Sequence, residues 1–406
     1  MRREGESFSL YSTITNNMCT IQKKGYLFIA NGSKPGRKLS EPTIVDVNNF
    51  SHASIDAANR LGYKLYLGTN VDHPELMSCR QYDLTYYDQH VYRNIFAFQD
   101  NYNAYKKCCR LLDEHPDIKV IHCNTPIGGI IGRICGHKFN KKVIYTAHGF
   151  HFYKGAPLKN WLFFYPIERM LAHWTDVLIT INKEDFQRAH KFKLHNHGKI
   201  YYVPGVGVDT KIYSNLEGSK KYIREDLKLG DNAVIVVAVG RLDKNKNFET
   251  VIKAIAETQH KNIHFIVCGD GDERLNLVKL INDLHLSDRV HLLGRCSDMP
   301  SIYKTSDIFV LSSFREGLSR SIMEAMASEL PCVVSNIRGN VDLIDSGKGG
   351  YLVSVANPQD YAQAFDDLAE SKEKRIKFGK YNKNKVQGFS LEVSKEVLYQ
   401  IFKSEL

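Results

Sequence analysis

The run Arg315-Glu316-Gly317-Leu318-Ser319-Arg320-Ser321-Ile322-Met323-Glu324-Ala325-Met326 decides the reading of this chain. Two glutamates stand eight positions apart, and Gly317 directly follows the first. The apolar run Ile308–Leu311 precedes them, and a stretch of helical period follows. This order places Glu316 at the carboxyl end of a strand and Glu324 in the first turns of the next helix. Amides exposed at a helix start bind anions. Carboxylates accept hydrogen bonds from sugar hydroxyls. The segment therefore suits a ligand with both a diphosphate and polyols, as a nucleotide-sugar has.

Working outward, apolar β-rich runs alternate with amphipathic segments along the chain. Strands are expected at 25–31, 63–68, 119–123, 142–147, 176–181 and 199–203, with helices at 51–61, 99–112, 126–137 and 158–173. Pro166 is expected to kink or interrupt the last of these. Pro204-Gly205-Val206-Gly207 breaks the pattern. A second series follows, with strands at 233–240, 263–268, 290–293, 308–311 and 332–335. Two successive β-α-β series imply an α/β protein with two doubly wound parallel sheets. A length of 406 residues accommodates two domains of this kind. The expected division is a disordered extension over 1–22, with Met18 as a more natural start. A first domain covers 23–205 and a second 206–370. C-terminal helices cover 371–406. Ligands of such sheets bind beyond the carboxyl ends of the strands, so the active site is expected in a cleft between the domains.

Two further strand ends carry chemistry. Gly240-Arg241-Leu-Asp-Lys-Asn-Lys246-Asn247 follows an apolar strand, and Arg241 and Lys246 can converge on a phosphate pair. Gly269-Asp270-Gly271-Asp272-Glu273 permits a tight turn, but its aspartates are unsuited to a phosphate and it reads as a helix entry. In the first half, Ala147-His148-Gly149-Phe150-His151 follows a strand and places His148 toward the cleft.

Taken together, these segments resemble retaining glycosyltransferase family 4, the group 1 glycosyltransferases of the GT-B fold. The resemblance rests on Gly240-Arg-Leu-x-x-x-Lys246-Asn, Gly269-Asp-Gly271, Val290-x-Leu-Leu-Gly294 and Glu316-Gly-x6-Glu324-Ala-Met-Ala, and is strong over 233–355. The Ala-His-Gly-Phe-His run resembles the bacterial capsule and exopolysaccharide members in particular. The resemblance implies catalytic roles for His148, Arg241, Lys246 and Glu316. It implies donor contacts from Gly240, Arg241, Lys246, Gly317, Leu318, Ser319 and Glu324, with Gly149 and His151 on the acceptor side. Arg241 and Lys246 would stabilise the departing diphosphate. Glu324 would hold the ribose, and Glu316 would lie near the donor sugar. No metal or other cofactor is expected, and the donor is expected to be a UDP-sugar. The resemblance also implies that the first domain binds the acceptor, that the second binds the nucleotide-sugar, and that the C-terminal helices over 371–406 return to the first domain. Arg320 departs from the small or aliphatic residue of many members. It is expected either to add a donor contact or to point to solvent.

Charge is divided unevenly. Residues 1–205 hold 27 Lys and Arg against 17 Asp and Glu. Residues 206–370 hold 19 against 24, and residues 371–406 hold 9 against 4. The basic surface thus belongs to the first domain and the tail, which points to an anionic partner. Residues 150–174 interleave aromatic rings with Lys154, Lys159 and Arg169, a mixture that suits a membrane interface. The same rings would also serve as core. The expected partners are a polyprenyl-diphosphate-linked glycan acceptor and an anionic membrane surface. The expected place is the inner face of the cytoplasmic membrane. No standard nucleic-acid-binding motif accompanies the charge, and no apolar run is long enough to span a bilayer. The nine cysteines show no paired or zinc spacing, which favours free thiols in a reducing compartment. A sugar-nucleotide epimerase of the same fold, a basic nucleic-acid-binding protein and a catalytically silent partner subunit are the rival readings.

Overall fold

A computed structural model describes residues 23–30, 39–48, 50–92, 94–214 and 222–406. The extension expected at 1–22 lies outside these residues. In chain order the strands are β1 Gly25–Ile29, β2 Thr43–Val45, β3 Lys64–Thr69, β4 Met77–Cys79, β5 Leu84–Asp88, β6 Ile118–Asn124, β7 Lys142–Ala147, β8 Val177–Thr180 and β9 Lys199–Tyr202. They continue as β10 Val234–Val239, β11 Ile263–Cys268, β12 Val290–Gly294, β13 Ile308–Leu311, β14 Cys332–Ser335 and β15 Gly350–Val353. One sheet runs β5-β3-β1-β6-β7-β8-β9 and the other β12-β11-β10-β13-β14-β15. Every pairing in both is parallel. β2 and β4 form a separate small ribbon.

Alternation explains why these runs are apolar throughout. Val234, Val236 and Ala238 enter one core of the second sheet, while Ile235 and Val237 enter the core on its opposite face. Leu27 and Ile29 are divided from Tyr26 and Phe28 in the same way. A parallel sheet covered by helices on both faces needs apolar residues at every position. β5 and β15 are edge strands, paired on one side. Their mixed sequences lack this signature, and the sequence pattern misses them along with β2 and β4.

Two local expectations change. The helix Leu158–Ala172 continues through Pro166, so of a kink or an interruption only the interruption is ruled out. Proline leaves the carbonyl four residues earlier without a donor. That carbonyl belongs to Leu162, which is 70% exposed, so it lies on the water-facing side. The segment 371–406 does not return to the first domain as a unit. The helix Lys372–Val386 stays on the second, where Asn382 Nδ2 donates to the carbonyls of Leu330 (2.8 Å) and Gly349 (2.6 Å). Only the helix Leu391–Glu405 crosses over. It buries Leu398, Ile401 and Phe402 among Tyr26, Ile55 and Val177. The crossing runs beside the interdomain linker, where Val208 N donates to Phe389 O (3.1 Å) and Leu391 N to Val208 O (2.9 Å).

Candidate active site

Each sheet reverses its strand order once, between β1 and β6 and between β10 and β13. Crevices open at such reversals, beyond the strands' carboxyl ends. In the second sheet this brings the loop after β10 against the loop after β13. Asn247, in the left-handed region at φ 52°, starts the helix Phe248–Glu257. Its Nδ2 donates to Ser312 O (3.3 Å) and Val355 O (2.9 Å), and Ser312 Oγ donates to Lys246 O (2.8 Å). The side chain of Lys246 folds back over Gly240, where any Cβ would stand 3.0 Å from Lys246 Cε. Lys246 Nζ then meets Glu316 Oε1 at 2.7 Å, and both side chains are mostly shielded.

Glu324 lies in the helix Arg320–Ala327 and is buried. Tyr303 OH donates to its Oε2 (3.1 Å), and Arg320 Nε stands 2.9 Å from its Oε1. Arg320 therefore holds the buried glutamate. Ser319 begins this helix, with its Oγ accepting from Ile322 N at 3.4 Å. Arg241 and Lys246, expected to converge, are drawn to different carboxylates. Arg241 pairs with Asp272 at 2.7 Å near the surface. That aspartate reads in sequence as part of a helix-entry turn.

On the first-domain side, His148 follows β7. Its Nε2 stands 3.3 Å from Asn124 Nδ2, and Phe50 packs edge-on at 5.7 Å between ring centroids. Its Nδ1 is enclosed and has no hydrogen-bond partner among the described residues. Burial pushes the His148 pKa down to about 4, so the ring is neutral at ordinary pH. His151 stacks on Phe164 at 4.4 Å, and burial first, then the nearby Arg315, lower its pKa.

The two sides meet at Gly317. A Cβ there would stand 1.8 Å from His148 O, so only glycine fits. His148, Gly149, His151, Glu316 and Gly317 line one cavity of about 410 Å³, with Phe163 and Phe164 on its apolar wall. Gly240 and Arg241 line a second opening, of about 860 Å³, with Asp270, Asp272, Arg295 and Met299. Lys246, Leu318, Ser319 and Glu324 line neither. Among the described residues no group of three His, Cys, Asp or Glu side chains is placed to hold a metal ion.

Residues 52–211 match the family described as Glycosyltransferase Family 4, and residues 219–385 match Glycosyl transferases group 1. The UDP-Gal:alpha-D-GlcNAc-diphosphoundecaprenol alpha-1,3-galactosyltransferase of Escherichia coli is 32% identical over 307 residues, covering 74% of this chain and 78% of that protein. The chain belongs to the group 1 glycosyltransferases. The capsular polysaccharide biosynthesis glycosyltransferase CapM of Staphylococcus aureus is 26% identical over 325 residues, covering 77% of this chain and 83% of that protein. The crystal structure of Anabaena HepE in complex with UDP and glucose superposes with a TM-score of 0.74 at 18% identity, covering 94% of this chain and 100% of that one. These matches establish a GT-B glycosyltransferase of two Rossmann-like domains.

Some features of this glycosyltransferase's cleft escape sequence reasoning. Glu168 lines the cavity and is held by two residues. The buried Arg133 pairs with its Oε2 at 2.7 Å, and Tyr145 OH donates to its Oε1 at 3.2 Å. Arg315 lines the same cavity beside Glu316. Arg338, after β14, reaches across the domain boundary. The last had a signal available. Arg338-Gly339 closes a strand end as His148-Gly149 does, but nothing in its own neighbourhood announces chemistry.

Proposed function

We propose that this glycosyltransferase moves a sugar, with retention of configuration and without a required metal, from a UDP-sugar to a polyprenyl-diphosphate-linked glycan at the cytoplasmic face of the membrane. The product would enter a surface polysaccharide. The observation that carries the acceptor side is the character of the interdomain cavity. One end is formed by His148, Glu316 and Gly317, and the other by apolar rings of the helix Leu158–Ala172. That helix leaves Leu158, Leu162, Phe163 and Met170 exposed, and Phe96 and Phe98 are also exposed, Phe98 by 75%. Ile95, beside Phe96, lines the same cavity as Phe163. An apolar surface at the mouth of a sugar-sized cavity suits an acceptor with a glycan head and a lipid tail. The basic balance of residues 1–205 suits an anionic bilayer, where each cation contributes roughly 1 kcal/mol near the surface. No helix among the described residues is long and apolar enough to cross a membrane, so attachment would be peripheral.

The donor reading rests on Lys246, Arg241 and Glu324 at the β10/β13 reversal. The UDP named in the HepE structure and the UDP-Gal named for the Escherichia coli relative support it. In this reading the Lys246–Glu316 pair opens on binding. Lys246 turns to the diphosphate and Glu316 is left beside the sugar. Glu324 accepts from the ribose hydroxyls. Arg241 leaves Asp272 for the phosphates. The neutral His148 ring lines the cavity beside the transferred sugar. Fixed cations on the leaving diphosphate stabilise charge that develops only in the transition state. The test is a panel of UDP-sugars, first for thermal stabilisation and then for transfer to undecaprenyl-diphosphate-linked sugars. Transfer to a soluble acceptor but to no lipid-linked one overturns the acceptor assignment.

A further inference from the structure

We propose that Arg338 is a positioning residue that fixes the two domains in register and sets His148 and Glu316 on opposite sides of the transferred sugar. Arg338 belongs to the second domain and is 7% exposed. Its Nε and one terminal nitrogen both donate to Glu316 O, each at 3.2 Å. The other terminal nitrogen donates to Phe150 O (2.8 Å) and to Asp185 Oδ1 (3.0 Å), both in the first domain. One planar guanidinium thus binds the backbone of Glu316 and the backbone two residues beyond His148. Lysine, a point charge, cannot reproduce that fork.

Three strand-end loops meet at this group, each with a side chain followed by glycine: His148-Gly149, Glu316-Gly317 and Arg338-Gly339. A Cβ on Gly339 would stand 2.1 Å from Gly317 O. With Gly317 seated on His148 O, the three backbones stack without intervening side chains. Arg338 lies along the edge of that stack, with Tyr153 packed on its guanidinium at 4.8 Å.

Its anionic partner is held rigidly. Asp185 is fully buried and also accepts from Asn182 Nδ2 (2.7 Å) and Phe150 N (3.1 Å). Buried ion pairs contribute little net stability, because desolvation offsets the attraction. Placement of the reacting groups is therefore the larger role. A second cross-domain bond, Lys183 N to Asp342 Oδ2 at 2.9 Å, lies nearby but touches neither His148 nor Glu316. Arg338 makes no contact with Lys246, Arg241 or Glu324, so the donor's nucleotide should bind without it.

The test uses the full chain with Arg338→Lys, Arg338→Ala and Asp185→Asn. Misplacing a reacting group by about 1 Å costs on the order of 100-fold in rate. Arg338→Lys should lower kcat by about that factor while the UDP Kd stays within about threefold. Guanidinium ion added to Arg338→Ala should recover part of the lost kcat, and should recover none in Lys246→Ala. Asp185→Asn is isosteric and can still accept from Asn182 and Phe150 through its one oxygen while losing the bond from Arg338, and should lower kcat less than Arg338→Lys. It keeps the test open if Arg338→Ala does not fold. An unchanged kcat in Arg338→Lys overturns the proposal. In Arg338→Lys or Asp185→Asn, a kcat loss matched by a loss of UDP affinity or of folded protein also overturns it, since that marks a merely structural contact. Because UDP binding and kcat are read separately, failure here is distinct from failure of the donor assignment.

Discussion

The two sides of the cleft, proposed above as the donor side and the acceptor side, are built on opposite principles. On the second domain, charges are numerous and already paired: Lys246 with Glu316, Arg241 with Asp272 and Arg320 with Glu324. On the first domain, the groups facing the cavity are mostly aromatic and aliphatic side chains, with a histidine kept neutral by burial and one carboxylate, Glu168, paired with the buried Arg133. A diphosphate must exchange one set of ion pairs for another, which fixes its position at little net cost. An acceptor that ends in a lipid needs apolar surface and a reacting end that excludes water. In the proposed reading one cleft serves both, because the backbones at Gly317 and His148 touch and hold the two chemistries apart.

The sharpest break in this comparison lies on the donor side. Lys246→Ala and Glu324→Ala should each cut transfer by about 100- to 1,000-fold, by analogy with the loss of one group that stabilises developing charge. Both should weaken UDP binding, measured by calorimetry, while the far-UV spectrum is unchanged. Wild-type affinity and turnover in both would remove the site assignment. Arg338→Lys comes next and should affect kcat without UDP affinity.

The acceptor side should respond differently. Replacing Leu162 and Phe163 together by Asp should raise the KM for a lipid-linked acceptor by about tenfold or more, since each apolar side chain withdrawn from water contributes about 1.5–3 kcal/mol. Donor affinity should not change. Recovery on anionic vesicles should fall in flotation. Equal recovery of wild-type and variant, unaffected by salt, would show that this face does not meet lipid.

The smallest effect is on pH dependence. Burial lowers His148 to about 4 and His122, which is bonded to Tyr26 and Thr146, to about 3. A histidine with a depressed folded pKa binds its proton more readily when unfolded. Its contribution to stability is complete above the unfolded value near 6.5 and is lost as pH falls toward the folded value. Each should steepen the decline by up to about 1.4 kcal/mol per pH unit below that point. His148→Asn should flatten the curve by one proton in urea titrations at pH 5 to 7. An unchanged slope would mean that the ring is already protonated or solvated in the folded protein.

The same contrast governs how much was legible in the sequence. Central strands such as β10, β11 and β13 announce themselves because both faces are buried. Of the four edge strands, β9 and β12 are legible and β5 and β15 are not: Thr85 and Asp88 break the apolar run of β5, and β15 is a short run entered through Gly349 and Gly350. The donor motifs are short and continuous, so Gly240–Lys246 and Glu316–Glu324 could be read as units. Their internal pairing could not. Nothing in the spacing reveals that Arg241 turns to Asp272 or that Arg320 covers Glu324, since those contacts join separate loops. Arg338 and the Arg133–Glu168–Tyr145 group are assembled from three or four distant segments. Such sites arise from tertiary packing and have no local pattern to find. The resemblance treats the segment 371–406 as one returning unit, yet its two long helices follow their buried faces to different domains.

The most direct measurement is the anomeric configuration of the product. Purified protein, a chelator, the UDP-sugar selected from the panel and an undecaprenyl-diphosphate-linked acceptor should yield an α-linked product from an α-linked donor, read by the anomeric proton coupling in NMR. Activity should persist at full rate in the chelator. A β-linked product, or transfer that vanishes when divalent ions are removed, would contradict retention driven by the fixed cations of the donor side.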